Sequence, residues 1–233
     1  MTFSENVIGF NQNLNFTGIL PEGIRIMNPF INDPVVAGLT EQFYTKFFND
    51  NYKRFLILGI NPGRFGAGAT GIPFTDTKRL QEACGIEFHG FQSHETSSAF
   101  IYAMIDAFGG AAQFYRHFFI SAVCPLGFTT TGKSGIQVNY NYYDNAELTT
   151  AVYPFIVESL KKQITFGIDT SVCFCLGTGK NEHFLKKLNA EHHFFSKIVA
   201  LEHPRFIMQY RARRKEEFIN KYVSEFRGVT GTM

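Results

Sequence analysis

On length alone, a chain of 233 residues with 45% apolar and 18% charged residues makes one large domain or two very small ones, and one is expected. No stretch approaches the eighteen or so uncharged apolar residues that a membrane span needs, and the apolar content excludes a disordered chain. The net charge of +2, from 22 Lys and Arg against 20 Asp and Glu, is too small for a surface that binds polyanions everywhere, so any nucleic-acid contact has to be focused in a local patch.

Residues 1–25 read as a loosely attached arm ahead of a single domain over 26–233. The opening MTFSENVIGFNQNLNF lacks a basic segment followed by an apolar stretch, so the expectation is a cytoplasmic protein without a secretory signal. VVAGLTEQFYTKFF predicts a helix, followed by a buried strand at FLILGI (55–60). SSAFIYAMIDAF predicts a second helix, closed by Gly109-Gly110, ahead of a strand at HFFISAVC (117–124). A further helix is expected from Asp144, where Asp-Asn-Ala-Glu resembles a capping box. The remaining strands are SVCFCLG (171–177) and KIVAL (197–201), each followed by a helical pattern, NEHFLKKLN and YRARRKEEFINKYVSEF. Strand and helix alternate, which predicts an α/β three-layer α/β/α sandwich around a mainly parallel four-stranded sheet. Ligands of such folds bind beyond the carboxyl ends of the strands, which directs attention to the residues after 60, 124, 177 and 201. Cys84, Cys124, Cys173 and Cys175 have no C-x-x-C spacing and read as reduced core residues, and the histidines lack zinc-ligand spacing. No metal and no cofactor are expected.

Two phosphate-binding patterns occur. Gly127 to Ser134, GFTTTGKS, satisfies the P-loop pattern after a strand, so nucleotide binding through Lys133 stands as an alternative. A P-loop needs a helix directly after its Lys, however, and GIQVNYNYYD has no helical period. Gly66-Ala-Gly68-Ala-Thr-Gly71 satisfies the dinucleotide fingerprint, but five residues separate it from the strand and Pro73 follows it. What remains is a Gly-rich loop beyond a strand end that carries one carboxamide, Asn61, and one aromatic, Phe74. As bland alternatives, Asn61 is a turn residue and Phe74 a core residue.

GINPGRFGAGATGIPF resembles the first motif of the uracil-DNA glycosylase superfamily, within it the single-strand-selective monofunctional branch, G-M-N-P-G-P-F-G-M-x-x-T-G-V-P-F. The similarity continues through Asn28-Pro29, HFFISAVCPL, Gly132-Lys133 and Leu201-Glu202-His203-Pro204, over roughly residues 25–225. The resemblance implies hydrolysis of the N-glycosidic bond to a damaged base that has left the DNA stack. Asn61 would position the attacking water, and Phe74 would lie against the flipped ring. His203 would donate to the uracil O2 as negative charge develops, with backbone N–H groups of the first loop assisting, and Ile60 and Gly63 would be further substrate-binding positions. A carboxamide takes no proton near neutral pH, so the bond should break before water adds. No lysine lies in either motif, so the reaction is expected to be monofunctional.

Departures from the family pattern sharpen the expectation. Ser121 and Ala122 stand where the family has His-Asn, so the usual uracil-reading carboxamide is absent. Weaker uracil preference follows, with acceptance of xanthine or hypoxanthine. Gly63 stands where a bulky residue would exclude a 5-methyl group, which suggests room for 5-modified pyrimidines. The second motif is two residues shorter before Arg205. Arg205 and Phe206 are then candidates to fill the gap left by the base, and Phe206 fits a core equally well. Arg205, Arg211, Arg213, Arg214 and Lys215 put five basic residues within eleven positions. They would bring phosphate-binding charge to the cleft, with Lys133 and Ser134 contributing; a solvated helix face balanced by Glu216 and Glu217 is the alternative. The expected partner is DNA, single-stranded and also double-stranded, bound by a monomer. A catalytically weak DNA-binding relative is the remaining alternative.

Overall fold

Four apolar runs form the central sheet, and each lies within a few residues of its predicted place. In the computed structural model, which describes residues 1–231, the first half of the chain runs α1 (Phe3–Gln12), β1 (Ile24–Met27), α2 (Pro29–Asn32), α3 (Pro34–Phe48), β2 (Arg54–Gly59), α4 (Ala67–Thr70), α5 (Thr77–Glu82), α6 (Thr96–Phe108) and α7 (Ala111–His117). The second half runs β3 (Phe118–Ala122), β4 (Gly127–Thr131), β5 (Gln137–Tyr140), α8 (Ala146–Ile164), β6 (Ile168–Leu176), α9 (Lys180–His192), β7 (Lys197–Leu201), α10 (Pro204–Tyr210) and α11 (Lys215–Thr230). Strands β3, β2, β6 and β7 lie side by side in that order, all parallel.

Both faces of this sheet are covered, which is why its strands read as unbroken apolar runs rather than alternating ones. Phe118, Phe174 and Phe226 of α11 meet on one face, with Phe118–Phe226 centroids 4.7 Å apart. Phe119, the next residue along β3, points to the other face and meets Phe3 of α1 at 5.2 Å and Phe48 of α3 at 6.0 Å. The result is the expected α/β/α sandwich. The direction of winding reverses at β2, which leads to β3 on one side and neighbours β6 on the other. That crevice is where ligands of doubly wound sheets bind.

Three features differ from expectation. Residues 3–12 form a helix rather than a loose arm: Thr2 and Glu5 close a reciprocal capping box, and Phe3 and Val7 are fully buried. Buried Arg54 anchors this helix, its guanidinium packed against both the Phe3 and Phe48 rings at 4.7 Å and paired with Asp50 at 2.8 Å. Second, Gly127–Ser134 is not a P-loop. It forms β4 and the turn of a hairpin with β5, closed by the Gly132 N–H on the Ile136 carbonyl (2.8 Å), and with β1 makes a three-stranded antiparallel sheet. No helix N-terminus follows Lys133 to hold a phosphate, so the nucleotide-binding alternative loses its physical basis. Third, YRARRKEEFINKYVSEF is broken: α10 ends at Tyr210, a short turn covers Ala212–Arg214, and α11 begins at Lys215. A smaller shift occurs at α8, where Asn145 caps the Leu148 N–H with its own side chain in place of the suggested capping box.

Candidate active site

A cavity of about 280 Å³ opens at the carboxyl ends of β2, β3 and β7. Its lining includes Ile60, Asn61, Gly63, Phe74, Ser121, Ala122, His203, Arg205 and Phe206. These are nine of the expected site residues, and they come from four separate chain segments. Lys133 and Ser134 lie at the exposed tip of the hairpin and Arg211 just beyond α10, all outside the cavity wall.

Asn61 sits two residues past β2, and main chain holds its carboxamide at both ends. Nδ2 donates to the Tyr140 carbonyl (3.2 Å) and, more weakly, to that of Pro62 (3.4 Å), while Oδ1 accepts from the Tyr142 N–H (3.1 Å). This network fixes which end is oxygen, and it leaves a second lone pair on Oδ1 for a water molecule.

Phe74 adopts a left-handed backbone conformation, φ 53°. Non-glycine residues hold that geometry only where the surroundings over-determine it. Here the Thr70 hydroxyl donates to the Thr75 carbonyl (2.6 Å), and the Thr75 hydroxyl meets that of Tyr102 (2.9 Å) in a buried cluster. The ring then lies over bare backbone at Gly59, where a Cβ would come within 2.9 Å of it, and 5.7 Å from the His203 ring. Glycine at 59 is therefore required by this close approach.

His203 ends the loop after β7 and caps α10. Its Nδ1 accepts the Arg205 N–H (3.1 Å). A nitrogen that accepts cannot carry the proton, so the neutral ring is protonated at Nε2. Burial and the nearby Arg205 charge bring its pKa down from 6.5 to about 4, so the ring is neutral at physiological pH. The site thus presents an Nε2–H donor. At the cavity rim, Phe206 and Tyr210 lie one helical turn apart on α10 with rings 5.5 Å apart, both largely exposed. Arg211 lies over the Phe206 ring at 5.7 Å. Arg214 forks onto Glu217 and Lys215 faces Glu216, so these two cations belong to the surface of α11.

Lining residues that escaped the sequence analysis include Glu95, Ser97, Asn139, Asn141 and Gln209. Asn139 accepts the Arg64 N–H at its Oδ1 (3.1 Å), which turns its Nδ2 donor toward Gly63, 3.2 Å from where a Cβ there would stand. The space beside Gly63 is therefore bounded by a polar wall. A signal for it existed: Gln137, Asn139 and Asn141 alternate as one face of a strand.

Residues 45–227 match the family model described as the uracil DNA glycosylase superfamily. Among solved structures, the wild-type SMUG2 of Pedobacter heparinus is 57% identical, with all of each chain covered and a TM-score of 0.97.

Proposed function

Because the chain belongs to the uracil DNA glycosylase superfamily, we propose that it is a monofunctional DNA glycosylase of base excision repair. It hydrolyses the N-glycosidic bond of uracil and of the related deaminated bases xanthine and hypoxanthine. The observation that carries this reading is the meeting of Asn61, Phe74 and a neutral His203 around one base-sized cavity. The flipped base stacks on Phe74, a contact worth about 1–3 kcal/mol against the cost of leaving the duplex. As the bond breaks, the electron pair collects on the base, where the His203 Nε2–H stabilises it. The free lone pair of Asn61 Oδ1 positions the water that captures the sugar.

Asn139 supports the wider substrate range. Uracil, xanthine and hypoxanthine each carry a carbonyl where cytosine, guanine and adenine carry an amino group. The Nδ2 donor of Asn139 matches the former and meets another donor in the latter, taking over the work of the carboxamide missing at Ala122. The cavity lining contains no lysine among the described residues, in keeping with hydrolysis rather than lyase chemistry. Arg205, Phe206, Tyr210 and Arg211 form the rim against which DNA docks, with Lys133 and Ser134 reaching phosphate from the hairpin tip. Action as a monomer in the cytoplasm is part of the same proposal.

The test is excision from labelled single- and double-stranded oligonucleotides carrying uracil, xanthine, hypoxanthine or 5-hydroxymethyluracil, read as alkali-labile cleavage. Asn61→Ala and His203→Ala should each lower the rate by about two orders of magnitude. Absence of excision on every base would leave a DNA-binding relative with the fold and no catalysis.

A further inference from the structure

Glu95 is the residue just before α6, and its backbone N–H donates to the buried Asp76 carboxylate (2.7 Å). An acidic residue in this position ordinarily accepts from the first N–H groups of its own helix. Glu95 does not: its carboxylate makes no hydrogen bond and no ion pair among the described residues. The side chain turns instead into the cavity and over the loop that carries Asn61. One carboxylate oxygen fills the space that a side chain at Gly66 would need, and the other lies 3.7 Å from the Cβ position of Gly63.

A half-buried carboxylate without a partner is costly unless a cation comes to it. The charges around Glu95 do not supply a paired one. Burial raises its pKa, Asp76 at the start of α5 adds to the rise, and Arg205 in the first turn of α10 opposes it. Asp76 is itself paired with Arg79 and lies near His94, and His203 and Tyr210 are further titratable side chains on the wall. Glycosidic cleavage creates the missing cation at the sugar, on the side of the pocket where Asn61 holds water. It also creates a need that Asn61 cannot meet, since the adding water has a proton to lose and a carboxamide has no basicity to take it.

We propose that Glu95 is a further catalytic residue, whose carboxylate stabilises the cationic sugar and accepts a proton from the water that adds to it. The bond to the base breaks with its electron pair on the base nitrogen, and the water oxygen bonds the sugar carbon. One water proton passes to Glu95 and from there, directly or through solvent, to the departing base. The products are an abasic sugar and a neutral base, and the carboxylate is restored.

This inference rests on the roles given above to Asn61 and His203, and the experiment separates the two. Single-turnover excision of uracil from a single-stranded oligonucleotide is measured for the wild type, Glu95→Gln and Glu95→Asp. Binding is measured to the same oligonucleotide carrying a non-hydrolysable 2′-fluorinated deoxyuridine. Glu95→Gln should lower the rate by about 10²-fold or more. Its binding should be undiminished, since a negative charge beside phosphate has been removed. Glu95→Asp should recover part of the rate. The wild-type rate should fall as acid protonates the carboxylate, a limb that Glu95→Gln should lack. A Glu95→Gln rate within twofold of wild type, beside inactive Asn61→Ala and His203→Ala, overturns this role and leaves the parent reading intact. Parallel loss of rate, binding and melting temperature in Glu95→Gln marks a structural residue and also overturns it. A wild type that excises nothing overturns both.

Discussion

The neutral state of His203 makes a prediction with a definite sign. Its pKa is about 4 in the folded chain against 6.5 for the ordinary side chain, so between those values the unfolded chain binds the proton more readily. Stability from this group is therefore complete above about pH 6.5 and is lost as pH falls toward 4. At about 1.4 kcal/mol per pH unit the full effect is about 3 kcal/mol, of which about 2.5 is lost by pH 4.5. In a chain of this size that is about 5–10 °C of melting temperature.

The perturbation that isolates it is His203→Asn, because asparagine can still accept the Arg205 N–H as a helix cap and does not titrate there. Melting or urea midpoints are compared for wild type and variant at pH 8 and pH 4.5. The other carboxylates titrate in both proteins, so the difference between the two carries the histidine alone. Wild type should lose about 2.5 kcal/mol relative to the variant on acidification. A difference that stays constant within about 0.5 kcal/mol, or an NMR titration of His203 with a midpoint above 6, would refute the neutral, Nε2-protonated donor. The same reasoning requires the excision rate to hold steady from pH 6 to pH 8, whereas an imidazolium donor would lose activity across that range.

Arg54→Ala should destabilise the fold by about 3 kcal/mol in chemical denaturation, because it strands Asp50 and removes the cation packed against the Phe3 and Phe48 rings; a cost below 1 kcal/mol contradicts the anchoring of α1. Asn61→Asp places a carboxylate oxygen where Nδ2 now meets the Tyr140 carbonyl at 3.2 Å, so excision at neutral pH should fall by about 10²-fold while amide exchange at Tyr142 quickens. Unchanged exchange there would mean that Asn61 does not hold the hairpin. Asn139→Ala should lower excision of uracil, xanthine and hypoxanthine by about tenfold or more, with undamaged DNA bound as before; equal loss of both would reduce Asn139 to a DNA contact.

The parts of this fold that were legible in the sequence are those whose burial is two-sided. The runs at β2, β3, β6 and β7 are apolar without interruption because helices cover both faces, and nothing but a central strand reads that way. Strands β1 and β5 are edges with exposed or half-exposed residues, so IRIM and QVNY carry no comparable signal. Helix α1 differs from the expected arm for another reason: nearness to a chain end predicts looseness, while the local signals, a capping box from Thr2 to Glu5 and apolar spacing at Phe3, Val7 and Phe10, specify a packed helix. At the site, Asn61 and His203 were legible through the motifs that resemble the family's, and each follows a strand end, where topology brings loops together. Glu95 reaches the cavity from a helix start and Asn139 and Asn141 from a hairpin; the alternation at Gln137, Asn139 and Asn141 marks a strand face, but no local pattern encodes which cavity that face meets.

In the proposed mechanism the base-reading carboxamide stands on the hairpin rather than on β3, which has a mechanical consequence. At position 122 a reading side chain would stand on the central sheet, independent of the water-positioning loop. Asn139 stands on β5, and the main chain of that strand at Tyr140 and just beyond at Tyr142 is what holds the two ends of the Asn61 carboxamide. Asn139 in turn accepts the Arg64 N–H from the loop that carries Asn61. Recognition and water positioning are thereby built into one hydrogen-bonded unit. The Tyr142 hydroxyl bonds Asn181, which reaches back to the Gly59 carbonyl at the end of β2, so the unit is referenced to the rigid sheet. A base that fails to satisfy Asn139 therefore strains the same backbone that orients Asn61, and discrimination in this arrangement is expressed in the rate of the chemical step as well as in binding.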